Sequence, residues 1–224
     1  MRAVPRVILF NKPCGVLTQF TPEDGHACLA DYLPQRDIYP AGRLDADSEG
    51  LVVLTDDGGL QALISEPRHK LEKTYWVQVE GAPTRAALAT LQRGIPLGDF
   101  VSAPCSARAI DEPPGLWART PPIRYRASIP TGWLEIRLRE GKNRQVRRMT
   151  AAIGCPTLRL IRFAVGDWNL DGLSPGAWRE GAIPDALAAR LAARQSRRLA
   201  PDTHRRPVAR GAGAVAPRRR QRAE

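Results

Sequence analysis

Arg43 and Asp45 stand two residues apart in Gly42-Arg43-Leu44-Asp45-Ala46-Asp47-Ser48-Glu49-Gly50, a polar stretch that passes into the apolar run Leu51-Val52-Val53-Leu54. A glycine followed by such a run predicts a buried strand, so the polar residues are expected at the mouth of a rigid sheet. A carboxylate held there can serve as a nucleophile or as a base. The same spacing also suits Asx hydrogen bonds, in which Asp45 and Asp47 do no more than cap a turn. A second polar run, Glu140-Gly141-Lys142-Asn143-Arg144-Gln145-Val146-Arg147-Arg148-Met149, gathers four cations at the expected start of a helix. A basic helix face of that kind meets phosphate. Asn11-Lys12-Pro13-Cys14-Gly15-Val16 reads as a turn carrying a lysine. Lys73-Thr74-Tyr75-Trp76-Val77 reads as an alternating strand that sends Tyr75 and Trp76 to opposite faces, with Trp76 in the core.

Metal chemistry is not expected. The four cysteines, Cys14, Cys28, Cys105 and Cys155, form no Cys-x-x-Cys pair, and His26 lies too close to Cys28 for the usual zinc spacings. Pro104-Cys105-Ser106-Ala107 supplies half of the zinc deaminase signature and lacks its second cysteine. The net charge of +11 points to a polyanionic partner. Residues 195–224 hold nine arginines against Asp202 and Glu224, so most of the excess lies in the last thirty residues. That tail has almost no large apolar residue to offset its ordering entropy and is expected to be disordered. No run approaches the ~20 apolar residues of a membrane span, and the first residues lack a signal-peptide core, so a cytoplasmic protein is expected.

The elements that must position these residues follow from pattern. Strands are predicted over 6–10, 16–20, 51–54, 74–80, 100–110, 123–129, 133–139 and 157–164. A helical turn is predicted over 27–33, and helices over 58–65, from 84 to a stop at Gly94, 143–153 and 184–194. The proline-rich stretch 111–122 reads as a surface loop. Strands and helices without a regular βαβ rhythm imply an α+β fold with a mixed or antiparallel sheet.

Taken together and in this order, the Lys-Pro-x-Gly turn, the Gly-Arg-Leu-Asp run, the Lys-x-Tyr strand and the Glu-Gly-x-Asn-Arg-Gln-x-Arg-Arg-Met run resemble the pseudouridine synthases. The likeness is to the ribosomal small-subunit and large-subunit branch, and it covers residues 6–180. It implies the synthase catalytic core, a long bent sheet with flanking helices, in halves 1–67 and 68–194 before the tail. Many relatives carry an S4-type RNA-binding domain ahead of the first strand. Here that strand begins near Arg6, so the chain is expected to lack it and to be similar to the large-subunit synthase E group.

The resemblance further implies isomerisation of a uridine in RNA with no cofactor and no metal. Asp45 would be the reacting carboxylate, as nucleophile or base, and Arg147 its fixed cationic partner. Tyr75 would stack on the target base, though a core tyrosine fits the strand equally. Arg43 would either fill the gap left by the flipped base or contact phosphate. Lys12, Lys73, Lys142, Asn143, Arg144 and Arg148 would meet RNA, and Leu160 would floor the uracil site or belong to the core. The expected partner is 23S rRNA, free or in a large-subunit assembly intermediate, with no membrane and a monomeric enzyme. Another RNA (16S rRNA or tRNA) and an inactive RNA-binding relative are the alternatives.

Overall fold

The structure, a computed structural model, describes residues 4–199 apart from 24, 36, 66–70, 125 and 127. The chain first lays down β1 (Val7–Lys12), β2 (Tyr39–Pro40) and β3 (Glu49–Thr55), then α1 (Gly58–Ser65) and β4 (Lys73–Glu80). α2 (Arg85–Arg93), β5 (Ser106–Ile110), β6 (Thr131–Leu138) and α3 (Gln145–Ala152) follow. β7 (Thr157–Val165), β8 (Trp168–Asn169), β9 (Trp178–Glu180) and α4 (Asp185–Leu199) complete the order. One sheet holds the strands in the order β5-β6-β4-β7-β3-β1-β9, with β2 paired to β3 and β8 to β7. The fold is therefore α+β with a mixed sheet, as the sequence predicts.

Strands β1 and β3 are buried along their whole length, which matches their continuous apolar runs, whereas β4 alternates. Alternation divides the residues between two faces. On one face a single cluster runs across the sheet, through Val7, Leu9, Leu51, Val53, Ile161 and Trp133, and α1 and α4 cover it. Trp76 packs there, stacked on Phe163 with ring centroids 4.0 Å apart. The other face carries two separate clusters. Tyr75, Val77, Leu134, Ile136 and Leu160 pack against α2 and α3. Ile8, Phe10, Val52 and Leu54 pack against the turn around Leu29–Asp31. The gap between these two clusters is where a cleft can form.

Several expectations shift. Residues 16–20 form no strand and make one isolated bridge, Leu17 to Cys28. The strand predicted over 100–110 shrinks to β5. The hairpin predicted between 123–129 and 133–139 does not form, because β6 is already paired along both edges, with β4 and with β5. Residues 125 and 127 of that segment are outside the described residues, as is the expected division between halves at 67. Thr84 caps α2, accepting from the Ala87 N–H at 3.1 Å, and Gly94 ends it, both as expected. The last helix runs to Leu199, five residues beyond the predicted stop at 194.

All strand pairs are antiparallel except β3 with β7. That parallel contact is two residue pairs long, Glu49 with Ile161 and Gly50 with Arg162, and it joins the halves of the sheet. Gly50 has φ +109°, and a Cβ there would lie 2.4 Å from the Arg162 carbonyl oxygen. Both facts demand glycine. Gly50→Ala is expected to lower the unfolding free energy by about 2–4 kcal/mol, combining backbone strain with a forced separation of the strands. Chemical denaturation measures the change; a loss below about 0.5 kcal/mol, the size of an ordinary surface substitution, would contradict it.

Candidate active site

The loop Arg43–Ser48 joins β2 to β3 and lines one wall of a cavity of about 590 Å³ between the two front clusters. The loop is fixed from several sides. Thr18 Oγ1 donates to the Leu44 carbonyl at 2.6 Å and accepts from the Leu44 N–H at 3.2 Å. Gly15 N–H donates to the Ala46 carbonyl at 2.7 Å, and Ser48 N–H donates to the Asp45 carbonyl at 3.0 Å. Asp45 is thus held between fixed neighbours, with 41% of its side chain exposed to the cavity mouth.

The opposite wall comes from the start of α3. Arg144 has φ +45° and stands immediately before the helix. Its guanidinium forks onto Asp47, at 2.9 and 3.3 Å, and reaches Asp45 Oδ2 at 3.4 Å. Burial pushes the Asp47 carboxyl up, but Arg144 and Arg147 outweigh that and hold it below its usual value. Arg147 lies deeper, 13% exposed, and donates to the Asp47 carbonyl at 2.9 Å and to Ser48 Oγ at 3.2 Å.

Tyr75, Leu160, Lys73 and Arg162 line the cavity from β4 and β7. Register explains the set: Tyr75 is opposite Arg162, which is opposite Gly50, so the three stand in a row across three strands. Because Gly50 has no side chain, the Arg162 guanidinium can lie over β3. It donates to the Leu51 carbonyl at 2.7 Å and to the Arg43 carbonyl at 3.2 Å. Burial, with Arg162 close by, lowers the Lys73 pKa to about 8. Tyr75 and Leu160 are 7% and 6% exposed, so each belongs both to the core and to the cavity lining.

The structure brings Arg43, Asp45, Lys73, Tyr75, Lys142, Asn143, Arg144 and Leu160 to one cavity. Arg43 is exposed at its rim. Three expectations need correction. The cation nearest the Asp45 carboxylate is Arg144, while Arg147 holds the Asp47–Ser48 turn. Arg144 was expected on a helix face toward phosphate; the helix starts at Gln145, so Arg144 leaves that face and swings to the carboxylates. Lys12 is 0% exposed, with its ammonium on the Pro13, Val16 and Ala46 carbonyls, so it supports the loop rather than meeting RNA. Arg148 pairs with Asp99 and the Leu97 carbonyl and lies over the Phe100 ring, where Lys142 also sits, 3.7 Å from the centroid.

Comparison with known proteins agrees with this geometry. The family described as RNA pseudouridylate synthase matches residues 6–152. The chain belongs to the RNA pseudouridylate synthase family. It is 55% identical over 179 residues to a ribosomal large subunit pseudouridine synthase E of Vibrio vulnificus, covering 80% of this chain and 76% of the relative. It is 53% identical to a protein of the same name from Xanthomonas axonopodis pv. citri, covering 82% and 98%. A ribosomal large subunit pseudouridine synthase B of Bacillus subtilis is 35% identical, over 80% and 69%. A crystal structure of a pseudouridylate synthase superposes with a TM-score of 0.67 at 25% identity, covering 84% of this chain and 73% of that one.

Sequence reasoning missed two arginines of this synthase. Arg159 and Arg162 interrupt an apolar strand three positions apart, so they point to opposite faces, and each needs buried partners. Arg162 serves the cavity floor. Arg159 binds Glu49 on the back face through two bonds, 2.9 and 2.8 Å, in a pair that is 6% and 2% exposed. Cations inside an apolar strand were the available signal.

The cavity is also costly to build. At pH 7 Lys73 carries its proton against burial and against Arg162; that penalty is relieved as pH rises from about 8 toward the ordinary 10.5. Lys73→Met is therefore expected to raise the unfolding free energy at pH 7 by about 1–3 kcal/mol and to give little gain at pH 10. Denaturation at both pH values checks it. An equal gain at both would assign the effect to the aliphatic stem rather than to the ammonium.

Proposed function

We propose that this synthase isomerises a uridine of 23S rRNA to pseudouridine with Asp45 as the reacting carboxylate. What carries the reading is the placement of Asp45, fixed at the mouth of a cavity, beside Arg144 and across from Tyr75 and Leu160. The ribosomal target is supported by the large-subunit names of relatives 50–56% identical over most of the chain. An rRNA target places the work of the enzyme in the cytoplasm.

The chemistry needs a target base outside its stack, which costs a few kcal/mol in folded RNA. Arg43, exposed at the rim, is suited to stack in the vacated position or to hold the adjacent phosphate. Tyr75 and Leu160 give the flipped uracil an apolar floor and a ring to stack on. Asp45 then acts on the ribose, as nucleophile at C1′ or as base. The C1′–N1 bond breaks with its electron pair moving to the uracil, the base turns, and C5 bonds to C1′. The C5 proton passes to water while N1 takes up a proton from water, so protons balance and Asp45 ends as it began. No group enters or leaves and nothing is oxidised, so the reading requires no cofactor. Arg144 keeps a positive charge beside the carboxylate, and its fork onto Asp47 fixes its position.

Asp45→Asn keeps the shape of the side chain and removes its nucleophilicity and basicity. It is expected to abolish tritium release from a transcript labelled at uridine C5 while leaving RNA affinity within a few-fold. Turnover above a tenth of the parent rate would move the role to another carboxylate, Asp47 first. Pseudouridine mapping of rRNA from a strain lacking the gene, beside its parent, tests the target. A site lost from 16S rRNA or tRNA instead would overturn the 23S assignment.

Residues 200–224 carry seven arginines against Asp202 and Glu224. Leu187 and Leu191 anchor α4 in the core, so a cut after Leu199 spares the helix. Removing 200–224 is expected to leave the melting temperature unchanged and to weaken RNA binding. Each lost phosphate contact reduces the slope of log K against log salt by about 0.7–0.9, and a loss of about two to four contacts is expected. Binding isotherms at several salt concentrations decide; equal slopes would confine RNA contact to the folded part.

A further inference from the structure

The stretch 111–122 is not a plain surface loop. It leaves β5 at one edge of the sheet and crosses the back face, where Leu116 and Trp117 pack against the continuous cluster. It ends at the joint between β3 and β7. There Trp117 Nε1 donates to Glu49 Oε2 at 2.8 Å across 68 positions of sequence. Arg119 Nε lies 3.4 Å from Glu49 Oε1, and its Nη2 donates to Cys14 Sγ at 3.1 Å across 105 positions. The Nε contact to Glu49 is an ion pair without a hydrogen bond, and a second hydrogen bond, Nη1 to the Pro121 carbonyl at 2.6 Å, fixes the guanidinium to its own loop. The Arg159 guanidinium lies 5.5 Å from the Trp117 ring. Arg119 is 14% exposed and Glu49 2%.

These contacts meet two of the supports of the Asp45 loop. On one side Gly15, next to Cys14, donates to the Ala46 carbonyl, and Lys12 donates to the same atom. On the other side Glu49, four residues after Asp45, is locked to Arg159 on β7. A single side chain, Arg119, touches both. A planar guanidinium can hold two acceptors in fixed directions, here the Cys14 sulfur and the Pro121 carbonyl, while its charge stays beside a third group, Glu49, which an ammonium on a flexible stem cannot do.

We propose that Arg119, assisted by Trp117, is a positioning residue that sets the Asp45 carboxylate from behind the sheet by bracing two supports of its loop, the Cys14–Gly15 turn and Glu49. Neither side chain lines the cavity, so the role is exerted through Cys14 and Glu49. A small displacement of a reacting group is enough to lower turnover while leaving the RNA-binding surface intact. The effect therefore belongs on kcat and not on KM.

The inference rests on the reading of Asp45 as the reacting group, and the test separates the two. Full-length parent, Arg119→Met, Arg119→Lys and Trp117→Phe are compared by tritium release from the C5-labelled 23S transcript, normalised to folded protein by circular dichroism. Arg126→Met is the control, because Arg126 is exposed, pairs with Glu80 and touches neither support. A parent without turnover on this RNA would defeat the functional reading itself. With an active parent, Arg119→Met is expected to lose at least tenfold in kcat with KM within twofold. Arg119→Lys, which restores the charge at Glu49, is expected to recover part of that loss, and Arg126→Met to stay within twofold of the parent. A kcat within twofold of parent for Arg119→Met, or a loss confined to KM, overturns the proposal. Should Arg119→Met not fold, Arg119→Lys and Trp117→Phe are judged by the same criteria, with a threefold loss of kcat as the threshold.

Discussion

The cavity that holds Asp45 depends on a parallel contact two residue pairs long. β3 and β7 meet at Glu49–Ile161 and Gly50–Arg162, and the antiparallel strands on either side extend from that joint. A contact so short would be a weak hinge if hydrogen bonds between backbones were its only support. It is reinforced on both faces by arginines of β7. On the back, Arg159 locks Glu49; on the front, Arg162 reaches over Gly50 to the Leu51 and Arg43 carbonyls. The absent side chain of Gly50 permits both the close approach of the strands and the path of Arg162. Asp45 lies five residues before Gly50, so the geometry of the joint is transmitted to its carboxylate through a loop with almost no slack.

The electrostatics of the cleft meet two opposing requirements. A polyanion must enter, which calls for positive potential, and a carboxylate must remain ionised close to it. Among the charged residues lining the cavity, Arg43, Lys73, Lys142, Arg144 and Arg162 stand against Asp45, so the potential is positive without removing the carboxylate. Asp47 takes the short contacts of Arg144, and Arg147 sits below the same turn. Asp45 therefore has a cation at 3.4 Å and still keeps much of its surface open to a substrate.

How much of this was legible follows from which signals are local. Tyr75 and Trp76 were placed on opposite faces because alternation along a strand fixes them, while Leu160, left between core and floor, is both buried and a cavity wall. The abrupt change from polar to apolar residues placed Asp45 at a strand entrance, but spacing alone suited a turn cap equally, and its role as a reacting group was suggested only by the resemblance of the run. Lys12 was misread as a surface group, although it continues the inward series Ile8, Phe10 on β1, and alternation would have buried it. The exchange between Arg144 and Arg147 came from two residues of helix register: a start at Gln145 rather than Asn143 leaves Arg144 outside the helix with a positive φ. The roles of Glu49, Arg119 and Trp117 were not visible, since their contacts span 68 and 105 positions and a proline-rich composition says only that the segment is irregular.

The distribution of buried charge says what this architecture favours. Replacing a buried ion pair with apolar residues is often neutral or stabilising, whereas removing one partner costs about 3–5 kcal/mol. Glu49–Arg159, Lys12, Arg162 and the half-buried Lys73 are thus expensive as stability devices. They lie at the joint or under the Asp45 loop, whereas farther out the buried Glu135 of β6 has partners, Arg108 and Arg137, that are themselves exposed, and apolar clusters carry the packing. Directional bonds to particular carbonyls and to one carboxylate do what apolar packing cannot: they permit a single arrangement of strand, loop and cleft. The sheet is stabilised by its periphery and given its definite shape at its centre, where the strand joint sets the position of the Asp45 loop at the cavity mouth.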